Sequence, residues 1–110
     1  MAVSREQRRM VRKKQRLRVD FGKPGQARDN LGYTEDISPF GLFVSTRKSQ
    51  ELGQELLFEV HLPDGSALLQ GIVAWRRSSS REVRSFASSG FGVRLLSAPE
   101  EWYQYLMGAA

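Results

Sequence analysis

Residues 55–77 read ELLFEVHLPDGSALLQGIVAWRR, and the fold class follows from how this stretch divides. From Glu55 to Leu62 apolar and polar side chains alternate. Leu56, Phe58, Val60 and Leu62 share one face and Glu55, Glu59 and His61 the other, with Leu57 the exception. A two-residue period marks a half-buried strand. Pro63-Asp64-Gly65-Ser66 supplies a turn, because Pro fixes φ, Asp accepts from nearby backbone and Gly accepts positive φ. A second strand runs from Ala67 to about Arg77, so the stretch is an antiparallel hairpin.

Outward from the hairpin the chain keeps the same grammar. Leu17-Arg18-Val19-Asp20-Phe21 alternates like a strand, and Gly22-Lys23-Pro24-Gly25 turns. Residues 26–37 are polar and read as an edge-like strand ending near Asp36-Ile37. Gly41 to Thr46 is rich in strand formers, 47–54 is a polar loop, and 78–89 is a Ser- and Arg-rich loop. Gly90 to Leu96 is the last strand. The period then changes. Ser97-Ala-Pro-Glu100 has the pattern of a capping box, Trp102, Tyr105 and Leu106 recur at helical spacing, and Gly108 ends the run. The expected fold is mainly β, a small antiparallel barrel of five or six strands with a short C-terminal helix, since closure removes exposed edges.

Composition narrows the function. The 110 residues fit one domain, 40% are hydrophobic, and no apolar run approaches a membrane span or a signal peptide. There is no cysteine, which removes disulfides, thiolate metal sites and cysteine nucleophiles. A single histidine, His61, argues against a multi-histidine metal site or a Ser-His-Asp triad. A binding or regulatory domain is expected rather than an enzyme, with no metal or cofactor. His61 is assigned no role, and Phe43, Phe58 and Val93 are assigned to the core.

The net charge of +5 conceals an asymmetry. Residues 1–18 hold Arg5, Arg8, Arg9, Arg12, Lys13, Lys14, Arg16 and Arg18 against Glu6 alone, whereas the remainder carries 9 basic and 11 acidic side chains. A cationic arm therefore precedes a nearly neutral body that begins at residue 19. As domains, residues 1–11 read as a flexible basic arm and 12–110 as a single domain, with the barrel at about 17–96 and the helix at about 98–107. Such an arm is either a solvated tail or a device for holding phosphate, nucleic acid or an acidic partner.

Two short patterns carry chemistry. Arg12-Lys13-Lys14-Gln15-Arg16 places two arginines four residues apart just before a strand. In an extended backbone they lie about 13 Å apart on one side and can grip phosphate bidentately or read the O6/N7 edge of guanine. Any Arg-rich arm contains such a spacing. Arg8 to Arg12 and Lys14 to Arg18 are competing frames. The second pattern is Asp36-Ile37-Ser38-Pro39-Phe40-Gly41. On a strand Asp36 and Ser38 share a face while Ile37 points inward. A carboxylate can accept two N–H groups from guanine with a hydroxyl beside it, and Gly41 permits a tight turn or close backbone approach. Asp and Ser are equally ordinary turn residues.

In this order, Arg12-x-x-x-Arg16 before Leu-Arg-Val-Asp-Phe, Asp36-x-Ser38-x-x-Gly41 before Leu-Phe-Val, Gly71-Ile-Val-Ala-Trp75 in the hairpin and Gly90-Phe-Gly-Val-Arg-Leu at the last strand, the sequence resembles the PilZ domain family over nearly its whole length. The resemblance implies a six-stranded barrel with a C-terminal helix and a receptor for cyclic di-GMP, a bacterial second messenger. It implies that Arg12 and Arg16 meet phosphate and guanine Hoogsteen edges, that Asp36 and Ser38 meet a guanine edge, and that Gly41 shapes the turn. Phe40 departs from the family, which usually has Gly or a small residue there; its ring could crowd the ligand, pack into the barrel or pack against the arm. Trp75, as a stacking ring, Arg94, Arg8 and Arg9 are weaker ligand-binding candidates.

The expectation is a cytoplasmic switch without catalysis, a monomer or weak dimer. Ligand draws the arm onto the Asp36/Ser38 face and an unidentified downstream protein reads the result. A PilZ-like adaptor that binds no ligand is the alternative. A nucleic-acid-binding barrel ranks below it, because clustered aromatics on one strand face are missing.

Overall fold

The computed structural model describes residues 12–77 and 89–108. The chain forms β1 (Lys13–Lys14), β2 (Arg18–Gly22), β3 (Asn30–Ser38), β4 (Gly41–Ser45), β5 (Glu55–Leu62), β6 (Gly65–Arg77), β7 (Gly90–Ser97) and α1 (Glu100–Leu106). All pairings are antiparallel. Strands β3, β2, β5, β6, β7 and β4 neighbour one another in that order, and β4 pairs back onto β3. The result is the expected six-stranded closed barrel. The extra strand, β1, lies along β3 beyond the end of β2, with Lys13 opposite Ile37 and Lys14 opposite Asp36.

The alternation read in 55–62 builds the interior. Leu56, Phe58 and Val60 are fully buried and meet Val19 and Phe21 of β2, Leu69 and Val73 of β6, and Phe91 and Val93 of β7. Phe21 packs edge-on against Phe91, with ring centroids 5.4 Å apart, and Phe58 lies 6.0 Å from Phe21. Trp102 and Leu106 of α1 close one side of this core. Each fully buried side chain of this size stabilises the fold by about 1.5–3 kcal/mol relative to exposure.

Local readings shift in three places. The hairpin turn is only Pro63-Asp64, because Gly65 already pairs with Leu62 as the first residue of β6. The capping box does not form. Ser97 stays in the β7 ladder opposite Gln70, so Pro99 takes the N-cap position without a side-chain bond, while Glu100 and Glu101 still set acid in the first turn. Phe43 is buried but is not part of the barrel interior: Leu42 and Val44 beside it belong to the core cluster, and Phe43 lies beneath Trp75 and Arg77. The expected arm at 1–11 and nearly all of the expected 78–89 loop lie outside the described residues.

On the outer face of β2 and β5, Asp20 stands opposite Glu59. Like charges so placed repel. Here Asp20 accepts from His61 Nε2 at 2.8 Å and lies 3.4 Å from Arg18, while Arg28 lies 3.8 Å from Glu59. The His61 hydrogen bond, helped by the Arg18 charge, holds the Asp20 carboxyl below its ordinary 3.8 despite desolvation. A depressed carboxyl stabilises the fold above its unfolded pKa and loses that contribution as pH falls through the folded value. Asp20→Asn is therefore expected to lower the melting temperature at pH 7, with the difference from wild type shrinking below about pH 4. A constant difference from pH 7 to pH 2, read by thermal melts, would contradict this assignment.

Candidate functional site

The site is organised by the short connection from β3 to β4. Ser38 and Gly41 are a cross-strand pair, with Pro39-Phe40 as the loop. The Ser38 hydroxyl closes it, accepting from the Gly41 N–H and donating to the Gly41 carbonyl, each at 3.1 Å. A hydroxyl has two acceptor lone pairs, so one remains for a further donor. Gly41 is required by close approach rather than by φ, since an added Cβ would stand 2.5 Å from the Val93 carbonyl oxygen. From below, the Trp102 indole N–H donates to the Ser38 carbonyl at 3.2 Å and anchors the turn to α1. The Phe40 carbonyl accepts from the Leu95 N–H at 2.9 Å, and its ring stands 43% exposed instead of filling the barrel.

A bulge in β3 sets the carboxylates. Thr34 and Ile37 are both fully buried, yet two residues separate them, and the β3–β4 register shifts between them. Glu35 and Asp36 are consequently both half-buried at the surface. Thr34 holds the neighbouring chain in place: its hydroxyl accepts from the Leu17 N–H at 2.9 Å and donates to the Gln15 carbonyl at 2.6 Å. With the β1 pairing, this lays the basic segment 12–16 directly beside Asp36.

Arg12, Asp36, Ser38, Gly41, Phe43 and Trp75 line one cavity of about 270 Å³. Five of these are residues singled out by sequence. Arg16 is not among the lining residues; its guanidinium lies 4.1 Å over the Tyr33 ring. Arg94 is exposed on β7 opposite Gly41 and likewise off the cavity. Arg8 and Arg9 lie outside the described residues. Lys13, next to Arg12, turns to α1 instead, with its ammonium 3.5 Å from the Tyr105 carbonyl. Burial raises the Tyr105 phenol above its ordinary pKa.

Sequence reasoning missed an aromatic and cationic stack on the outer surface. Trp75 (β6) and Phe43 (β4) flank Gly92 of β7 and meet over it, with centroids 5.1 Å apart. A Cβ on Gly92 would fall 2.0 Å from the Trp75 indole, so the glycine creates the seat for the ring. The Arg77 guanidinium lies 4.1 Å over the same Phe43, and its Nη2 is 2.7 Å from Glu35 Oε2. Trp75 is also a wall of a second cavity, about 550 Å³, that gathers Arg47, Lys48, Arg76 and Arg77. The available signal was the Trp75-x-Arg77 alternation, which puts both side chains on one face of β6. Together these groups offer a stacking ring, guanidinium forks and a carboxylate on one surface, the donors and acceptors that a phosphate-bearing purine nucleotide requires.

Among the described residues only Asp20, Glu59 and His61 converge as possible metal ligands, their ligand atoms within 4.8 Å of one another. Arg18 and Arg28 already answer the two carboxylates. No described helix is long and apolar enough to cross a membrane.

The family model described as PilZ domain matches residues 4–106. Among curated proteins none matches the chain. Among solved structures the chain is similar to the "Structure of Bacillus subtilis Inhibitor of motility (MotI/DgrA)", with a TM-score of 0.69 at 15% identity over 90% of this chain and 47% of that one. This chain thus spans about half the length of that protein, and the likeness is one of fold.

Proposed function

The chain belongs to the PilZ domain family, and on that premise we propose that it is a non-enzymatic receptor for cyclic di-GMP that passes its state to a downstream protein. The observation that carries this reading is the convergence of Arg12, Asp36, Ser38, Gly41 and Trp75 on one cavity. Asp36 supplies a carboxylate for the N–H groups of a guanine edge, and Arg12 a fork for phosphate or the O6/N7 edge. Trp75, 50% exposed beside them, offers a face to a purine. Arg16 would leave Tyr33 or reach past it to complete the R-x-x-x-R pair. The cationic segment 1–18 adds long-range attraction for a doubly charged dinucleotide. The ring of Phe40, exposed at the tip of the same turn, gives a partner protein an apolar contact next to the ligand.

The two tryptophans separate the signals, because Trp102 is fully buried and Trp75 is not. Cyclic di-GMP is expected to quench the emission of Trp75 saturably, and Trp75→Phe is expected to abolish the change. Emission that is unaffected at saturating dinucleotide, with an unchanged melting temperature, would defeat the receptor reading and leave the ligand-independent adaptor in its place.

A further inference from the structure

Arg77 is held in two ways at once. Its flat face lies on Phe43, and its edge meets the Glu35 carboxylate at 2.7 Å. A guanidinium stacked on a ring keeps its in-plane N–H donors free for an anion, and those donors bind carboxylate and phosphate oxygens in the same geometry. Glu35 therefore sits on Arg77 where a phosphate oxygen would sit. The contact joins the groups already described: Phe43 and Trp75 line the Asp36 cavity, and Trp75 and Arg77 line the larger basic one. Glu35 owes its place to the β3 bulge, which sets it beside Asp36 at the surface.

We propose that Glu35 is an internal competitor for the ligand. Its carboxylate occupies Arg77 in the free protein, is displaced by a phosphate of the bound nucleotide, and so sets the affinity of the site. This rests on the receptor reading above. The exchange needs no backbone movement. Arg77 remains on Phe43, and the Glu35 side chain, 37% exposed, swings into solvent. An ion pair this exposed is weak, so the displacement is cheap, and the negative charge left near the phosphates opposes binding further. Glu35 is a positioning residue in this scheme: it acts through Arg77 rather than by touching ligand.

The test is calorimetric titration of cyclic di-GMP into wild type, Glu35→Gln, Arg77→Gln and the double variant, each checked for an unchanged fold by thermal melting. Glu35→Gln keeps the size of the side chain and removes its charge. It is expected to bind about three- to tenfold tighter than wild type, with a gain that is lost when Arg77 is also replaced. Wild-type binding with equal or weaker binding by Glu35→Gln overturns the inference alone. So does a gain that persists without Arg77. Binding detectable only in Glu35→Gln supports it, as a site held closed by its own carboxylate. No binding by either protein overturns both this inference and the receptor reading.

Discussion

Replacing Asp36 by alanine is expected to weaken cyclic di-GMP binding by about 10- to 100-fold without unfolding the barrel. The carboxylate is half-buried on the cavity wall, placed there by the β3 bulge and flanked by Arg12. A hydrogen bond to a charged group contributes about 1.5–3 kcal/mol, and each 1.4 kcal/mol is a factor of ten in affinity. The main-chain pairing of Asp36 with Lys14 survives the substitution, so thermal stability should stay close to wild type. Arg12→Ala is expected to act in the same direction and to reduce the salt dependence of binding, since it removes a cation facing phosphate. Unchanged affinity in both variants would show that the cavity is not the ligand site.

The largest effect on stability is expected at Trp102. Its ring is fully buried among the core residues, and its indole N–H satisfies the Ser38 carbonyl. Truncating a buried aromatic to alanine costs about 3–5 kcal/mol, against a total of about 5–15 kcal/mol for a typical domain. Trp102→Ala should therefore lose much of the folding free energy in a urea titration. Trp102→Phe is the finer probe. It retains most of the ring but leaves the Ser38 carbonyl without its donor, an expected cost of about 1–3 kcal/mol. Because that carbonyl belongs to the turn that presents Ser38 and Gly41, the Phe variant should also weaken ligand binding. A Trp102→Phe protein with wild-type stability and affinity would mean that α1 does not support the turn.

What could be read in advance, and what could not, divides along physical lines. The hairpin 55–77 was legible because its apolar positions repeat every second residue and its turn has the chemistry a turn needs. β1 was not legible, because Lys13-Lys14 carries no apolar signal and its pairing is imposed by β3 and by the Thr34 hydroxyl. The bulge at Glu35-Asp36 escaped for a related reason: Thr34 is buried by its hydrogen bonds to Gln15 and Leu17, not by hydrophobicity. Ser97 looked like a cap only while the end of β7 was unknown. In the site, Arg12, Asp36, Ser38 and Gly41 stood out as short motifs. Arg77 and Glu35 are 42 residues apart, and Phe43 read as an ordinary core residue until Gly90 and Gly92 were seen to leave room for rings on the outside of the barrel.

The measurement that bears most directly on the account is isothermal titration of the wild-type protein with cyclic di-GMP, GTP and a short single-stranded RNA at one salt concentration. The account predicts saturable binding of cyclic di-GMP, with a fitted ratio giving the number of ligand molecules per chain, and markedly weaker binding of GTP and RNA. RNA binding alone, falling steeply with added salt, would contradict it and assign the cationic segment to nucleic acid.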